Sequence, residues 1–131
     1  MYSTNSDSFG KLILRWTIAL LMIFHGYAKF THGLGFIETM LSNNNLPTFL
    51  AYGVYVGEIL APILLIIGYK TRFAALIIVL NMFMAIYLVH SADLIALTKN
   101  GALVLELQYF YILASFAIIF FGPGKFSIDR N

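Results

Sequence analysis

Residues 51–67 read AYGVYVGEILAPILLII, an apolar run with a single carboxylate, Glu58, near its middle. A run this long and this apolar predicts a membrane-spanning helix, and an ionisable side chain inside such a helix must be paired or held protonated. Pro62 sharpens the reading. Its ring has no N–H, and in a helix that N–H would bond the carbonyl of Glu58, so the helix is expected to open or kink where the acid sits. Gly53, Gly57 and Ala61 recur every four residues and predict a small-residue stripe along which a second helix packs closely, with Glu58 at its edge. Kinks and glycine stripes also serve plain helix packing. Glu58 is the residue whose burial asks for a functional explanation.

Composition supports a membrane protein. Of 131 residues, 60% are hydrophobic and 11% charged, against about a quarter charged in ordinary soluble domains. The length fits a single membrane domain over residues 1–131. The net charge of +2 is too small and too dispersed to point to nucleic acid. With no cysteine, disulfides, thiol redox chemistry and thiolate metal or iron–sulfur sites are excluded.

Outward from this run, the apolar segments predict an all-α, four-helix transmembrane bundle with helices over about residues 12–30, 48–68, 73–90 and 102–121. Residues 1–10 are polar and read as a short frayed start, and Arg15 and Trp16 mark the first interface. Gly26-Tyr27-Ala28 loosely resembles a signal-peptidase site, but His25 and Lys29 inside the run argue against cleavage. Leu34, Ile37 and Leu41, flanked by Phe36 and Met40, predict a short amphipathic helix between the first two spans. Asn100-Gly101 punctuates the loop before the fourth span. Four spans put both termini on one side, together with Lys11, Arg15, Lys70, Arg72, Lys125 and Arg130, leaving Lys29 and Lys99 on the other. The positive-inside rule then makes the termini cytoplasmic, in the inner (plasma) membrane of a bacterium.

A rise of about 1.5 Å per residue gives each polar residue a depth. His25 lies roughly 9 Å inside the outer end of the first span, with Lys29 one turn further out on the same face. Glu58 and Asn81 fall near the midplane. Glu106 and Gln108 enter from the outer end of the fourth span, and His90 ends the third. All four helices therefore contribute polar groups to the midplane or outer half. Such a cluster suits proton exchange by Glu58 and Glu106, with His25, Lys29, Asn81, Tyr55 and Tyr109 around a ligand. Tyr27, Tyr52, Tyr87 and Tyr111 add aromatic surface, and aromatic walls with a few polar groups suit a flat amphipathic molecule such as a quinone head group. The same charges can equally pair as glue between helices. A metal held by His25, Glu58, His90 and Glu106 is disfavoured by the depth gap between the two histidines.

Taken in order, His25-Gly26 with Lys29, Gly57-Glu58, Gly68-Tyr69-Lys70-Thr71-Arg72 followed by Phe73-Ala74-Ala75, Glu106, and the exit Gly122-Pro123-Gly124-Lys125-Phe126-Ser127-Ile128-Asp129 resemble the DoxX family of small bacterial membrane proteins. The resemblance spans nearly the whole chain, from Arg15 to Arg130. It implies a four-helix inner-membrane protein with His25, Lys29, Glu58 and Glu106 as polar core positions, in a family linked to thiosulfate:quinone oxidoreductase or terminal quinol oxidase components. It does not make the chain an enzyme, since no haem-ligand pair at matched depth, flavin fingerprint or nucleotide motif is present. The leading expectation is the membrane subunit of a redox system that binds a quinone-like molecule and works with a redox partner protein, as a single copy or a homo-oligomer. One rival is a non-catalytic anchor for a partner. The other is a small-solute or lipid carrier, for which the midplane acid beside a proline break speaks.

Overall fold

In the computed structural model, which describes residues 4–130, the chain is all helical apart from one isolated bridge between Leu97 and Leu103. Helix α1 (Asn5–His32) starts well before the expected boundary, correcting the reading of residues 1–10 as frayed from residue 5 on; residues 1–3 lie outside the described residues. Thr4 caps it by accepting the Asp7 amide at 3.0 Å, with Asp7 set against the positive helix end. Gly33, at φ 87°, ends it. Helix α2 (Gly35–Asn43) is the expected short amphipathic helix, with Leu34 and Leu41 packed on Ala51.

Helix α3 (Thr48–Ile67) is continuous but changes pitch: a 3₁₀ turn over Thr48–Tyr52, an α turn over Gly53–Tyr55, a π segment over Val56–Leu60 and an α-helix over Ala61–Ile67. Gly68 closes it in the left-handed conformation. A side chain at Gly68 would also meet Arg15 Nη2 at 2.8 Å, so the turn needs glycine for space as well as for backbone angle. Helix α4 (Thr71–Val89) and helix α5 (Glu106–Phe121) complete the fold. The last begins four residues later than expected. Around Asn100-Gly101 the backbones of Ala96 and Val104 hydrogen-bond at 2.9 Å, which holds residues 102–105 out of the helix.

Three of these helices, α1, α3 and α4, are long and apolar enough to cross a membrane; α5 is apolar but has 16 residues. The second and fourth helices in the bundle, α3 and α5, each pack on α1 and α4 and so stand diagonally to one another. Ile18, Ala19 and Met22 of α1 meet Leu65 of α3, Ile78 and Val79 of α4 and Ile118 of α5 in one apolar core. The outward faces carry Phe24, Phe110, Leu113 and Phe120 in full exposure, which suits lipid contact.

The end of the bundle where α1 begins and α5 ends is tied by backbone carbonyls as well as by apolar contact, the Phe9 and Phe126 rings lying 4.8 Å apart between centroids. Arg15, read from sequence as interfacial, is fully buried there. Its guanidinium donates to the carbonyls of Leu65 (2.9 Å), Ile66, Pro123 and Phe126 (3.0 Å each). A planar fork of donors meets the spent end of α3 and the C-terminal tail at once, which a point charge would not do. The tail continues along this edge, Ile128 and Asp129 amides bonding the Ile67 and Gly68 carbonyls.

Asp129 then caps α4 from a distance in sequence, accepting the Lys70 amide at 3.1 Å and the Thr71 amide at 2.9 Å. Partial burial pushes this carboxyl up, but the Thr71 and Lys70 hydrogen bonds and the Arg15 charge outweigh it and hold it below the ordinary value of 3.8. Such a group stabilises the fold fully above its unfolded pKa and loses that contribution as pH falls through the lower, folded one. Below about pH 4 the wild-type tail is expected to loosen by about 1 kcal/mol, the usual worth of a cap. Hydrogen exchange at the Ile128 and Asp129 amides, corrected for intrinsic rates, should accelerate there, while Asp129→Asn should show no such transition.

Candidate functional site

The site begins with the backbone of α3. Pro62 cannot donate to the Glu58 carbonyl, and the chain responds with the π segment centred on Glu58, in which the Ala61 amide reaches back to Val56. The expected opening at the acid is therefore a π-bulge. Two glycines seat it. A side chain at Gly57 would lie 2.6 Å from Asn81 Cβ, and one at Gly26 would lie 2.7 Å from Ile59 Cγ1 and against the Glu58 backbone. So α4 closes on one side of the bulge and α1 on the other, each at a glycine. Ala61 is fully buried, whereas Gly53, the third member of the stripe, faces open space beside a cavity.

Glu58 is 2% exposed. Lys29 Nζ of α1 meets its Oε1 at 2.5 Å, and Asn81 Nδ2 of α4 donates to Oε2 at 3.0 Å. Each carboxylate oxygen thus has a partner from a different helix. Lys29 is one-third exposed and Glu58 is not, so the acid depends on the base more than the base on the acid.

This cluster lines a cavity of about 580 Å³ between α1, α3, α4 and α5. His25, Lys29, Glu58, Asn81, His90, Gln108 and Tyr111 are its polar lining, set among apolar side chains such as Met22, Ile77 and Leu88. Helix α2 covers one side with Phe36, Ile37 and Met40. The His25 and Tyr111 rings meet edge to face with centroids 6.1 Å apart, and His90 Nδ1 lies 3.5 Å from Asp93.

Of the residues read from sequence as a site, His25, Lys29, Glu58 and Asn81 come together on this cavity. Glu106, Tyr55 and Tyr109 are not in its lining. Glu106 is exposed at the first residue of α5. Tyr55 packs against Phe30, and the Tyr109 hydroxyl donates to the Leu94 carbonyl at 2.6 Å. Tyr27, Tyr52 and Tyr87 point outward. Among the described residues no three His, Asp or Glu side chains group as metal ligands. Sequence reading missed the covering role of Phe36 and Met40, and missed Arg15. Arg15 shares the buried face of α1 with Ser8, Ile18, Met22 and Gly26, a helical spacing that would have placed it inside.

No solved structure matches the chain significantly. A Haemophilus influenzae protein described as uncharacterized is 36% identical over 124 residues, covering 90% of this chain and 87% of the relative. The sequence model of the DoxX family matches residues 10–91, which include Arg15, Lys29, Glu58 and Asn81 and stop short of α5. That match takes in more than half of the sequence, and the chain belongs to the DoxX family of membrane proteins.

Proposed function

We propose that this protein crosses a bacterial inner membrane four times with both termini cytoplasmic, and that its cavity binds the head group of a quinone-like molecule as part of a redox system. The carrying observation is the Lys29–Glu58–Asn81 cluster facing a cavity of about 580 Å³. That volume lies within the range of about 300–1,000 Å³ usual for sites of small organic ligands, and an apolar lining with a few convergent polar groups is their usual chemistry. The cytoplasmic placement rests on the six basic residues that share the termini's side.

A quinone bound there would supply a couple of two electrons and two protons. Lys29 has two N–H groups left after its bond to Glu58, and these can donate to a ligand oxygen. Glu58 and His25 can take up or return the protons, and Asn81 keeps the acid oriented while they do so. The apolar lining excludes water from the head group, and the electrons come from or go to a partner protein with its own redox centre.

Titration of decylubiquinone into the protein in lipid nanodiscs tests this. Wild type should bind, and Glu58→Gln should weaken binding about tenfold, the worth of one hydrogen bond to a charged group. Equal binding by both would overturn the role of Glu58. One observation favours a second reading, in which the protein anchors a partner and the cluster is helix glue: both Glu58 oxygens are already satisfied within the protein. On that reading Glu58→Gln lowers folded yield and no quinone signal exists to lose.

A further inference from the structure

Across the cavity from Glu58 stands Gln108 of α5. Because α3 and α5 are the diagonal helices of the bundle, a group that touches both Glu58 and Gln108 must span the interior. Gln108 lines the same cavity, and its side-chain oxygen is buried without a hydrogen-bond partner. A buried amide oxygen left unpaired is costly and calls for an explanation. Ser115 and Thr71 also hold unpaired hydroxyls, but neither lines the cavity. Three residues on from Gln108, Tyr111 is in the lining too, its ring set edge to face with that of His25.

Resting on the quinone reading above, we propose that Gln108 is the second anchor of the ligand, so that the site recognises a flat ring carrying an oxygen at each end, one at Lys29–Glu58–Asn81 and one at Gln108. An amide suits this place because it carries both a donor and an acceptor at its tip. The Gln108 oxygen accepts from a ring hydroxyl, and half a turn of the terminal torsion offers the NH₂ to a ring carbonyl. One residue therefore serves both redox forms of the ligand, which an apolar side chain or an ionised acid cannot do.

The test uses three probes on the full chain in nanodiscs: decylubiquinone, decylubiquinol and 3-decylphenol, which has one ring oxygen and leaves the ring position opposite it free of the tail. Gln108→Met, close in volume and without the amide, should weaken decylubiquinone and decylubiquinol about tenfold and leave 3-decylphenol unchanged. Gln108→Asn, which keeps the amide but withdraws it by one methylene, should show the same selective loss and stands in if the methionine variant does not fold. Equal weakening of all three probes would mean a packing effect and overturn the proposal. So would unchanged binding of decylubiquinone and decylubiquinol while Glu58→Gln loses them, a result that leaves the quinone reading standing. No binding of decylubiquinone or decylubiquinol to wild type would overturn both.

Discussion

Replacing Arg15 by methionine is expected to destabilise the protein by about 3–4 kcal/mol, a larger effect than that of any other single change considered. Four carbonyls from two separate segments accept from this one guanidinium, and methionine fills similar space with no donor. The loss falls below the sum of four charged hydrogen bonds because carbonyls at a helix end can partly recover through water. Arg15→Lys should restore less than half, since an ammonium cannot span both segments. Thermal unfolding in detergent would register the methionine variant as a drop of roughly 10–15 °C. A drop of less than a few degrees would show that the tail and α3 hold together without the clamp.

The next largest effect concerns the pair at the site, and it should be lopsided. Lys29→Met leaves Glu58 buried with Asn81 as its remaining partner, and an unpaired charge at this depth is expected to destabilise by about 3 kcal/mol. Glu58→Leu leaves Lys29, which is one-third exposed and can turn its ammonium toward the interface, so the loss should stay near 1 kcal/mol. The double variant Lys29→Met/Glu58→Leu removes both charges and should return to within about 1 kcal/mol of wild type. Unfolding midpoints of the three proteins measure this directly. Equal losses in the two single variants that add in the double would mean that the contact at 2.5 Å carries little coupling.

How much of this was legible beforehand depended on whether a residue's chemistry acts along its own helix. The opening at Glu58 could be read because Pro62 deletes a bond whose acceptor is fixed by the count of four. The meeting of Glu58 with Asn81 could be anticipated because depth along a helix follows from residue number, whereas Lys29, read nearer the outer end, reaches Glu58 through the length of its side chain. Depth is one coordinate, however, and rotation about the axis is another. Helix α5 is apolar nearly all round, so its sequence has no polar face to fix that rotation. Glu106 was grouped with Glu58 on depth, and the structure sets it outside the cavity lining while Gln108, two residues on, lies within it.

The Arg15 clamp was hidden for a different reason. Its acceptors are backbone carbonyls of Leu65, Ile66, Pro123 and Phe126, and carbonyls leave no mark on a sequence. Gly122 to Asp129 therefore entered only as the exit motif of the family resemblance, although it closes α3 and caps α4. The early start of α1 was legible in principle, because Thr4 and Asp7 have the spacing of a cap and its first-turn acid.

The proposed function requires the Lys29–Glu58–Asn81 cluster to serve a ligand and not merely the packing of α1 against α3. Decylubiquinone titrated into the Lys29→Met/Glu58→Leu double variant in nanodiscs tests it most directly, because there the fold is expected to be kept while both charges are gone. Wild type is expected to bind, and the double variant to lose at least about tenfold in affinity at an unfolding midpoint close to wild type. Affinity equal to wild type in a folded double variant would contradict it and leave the cluster as helix glue.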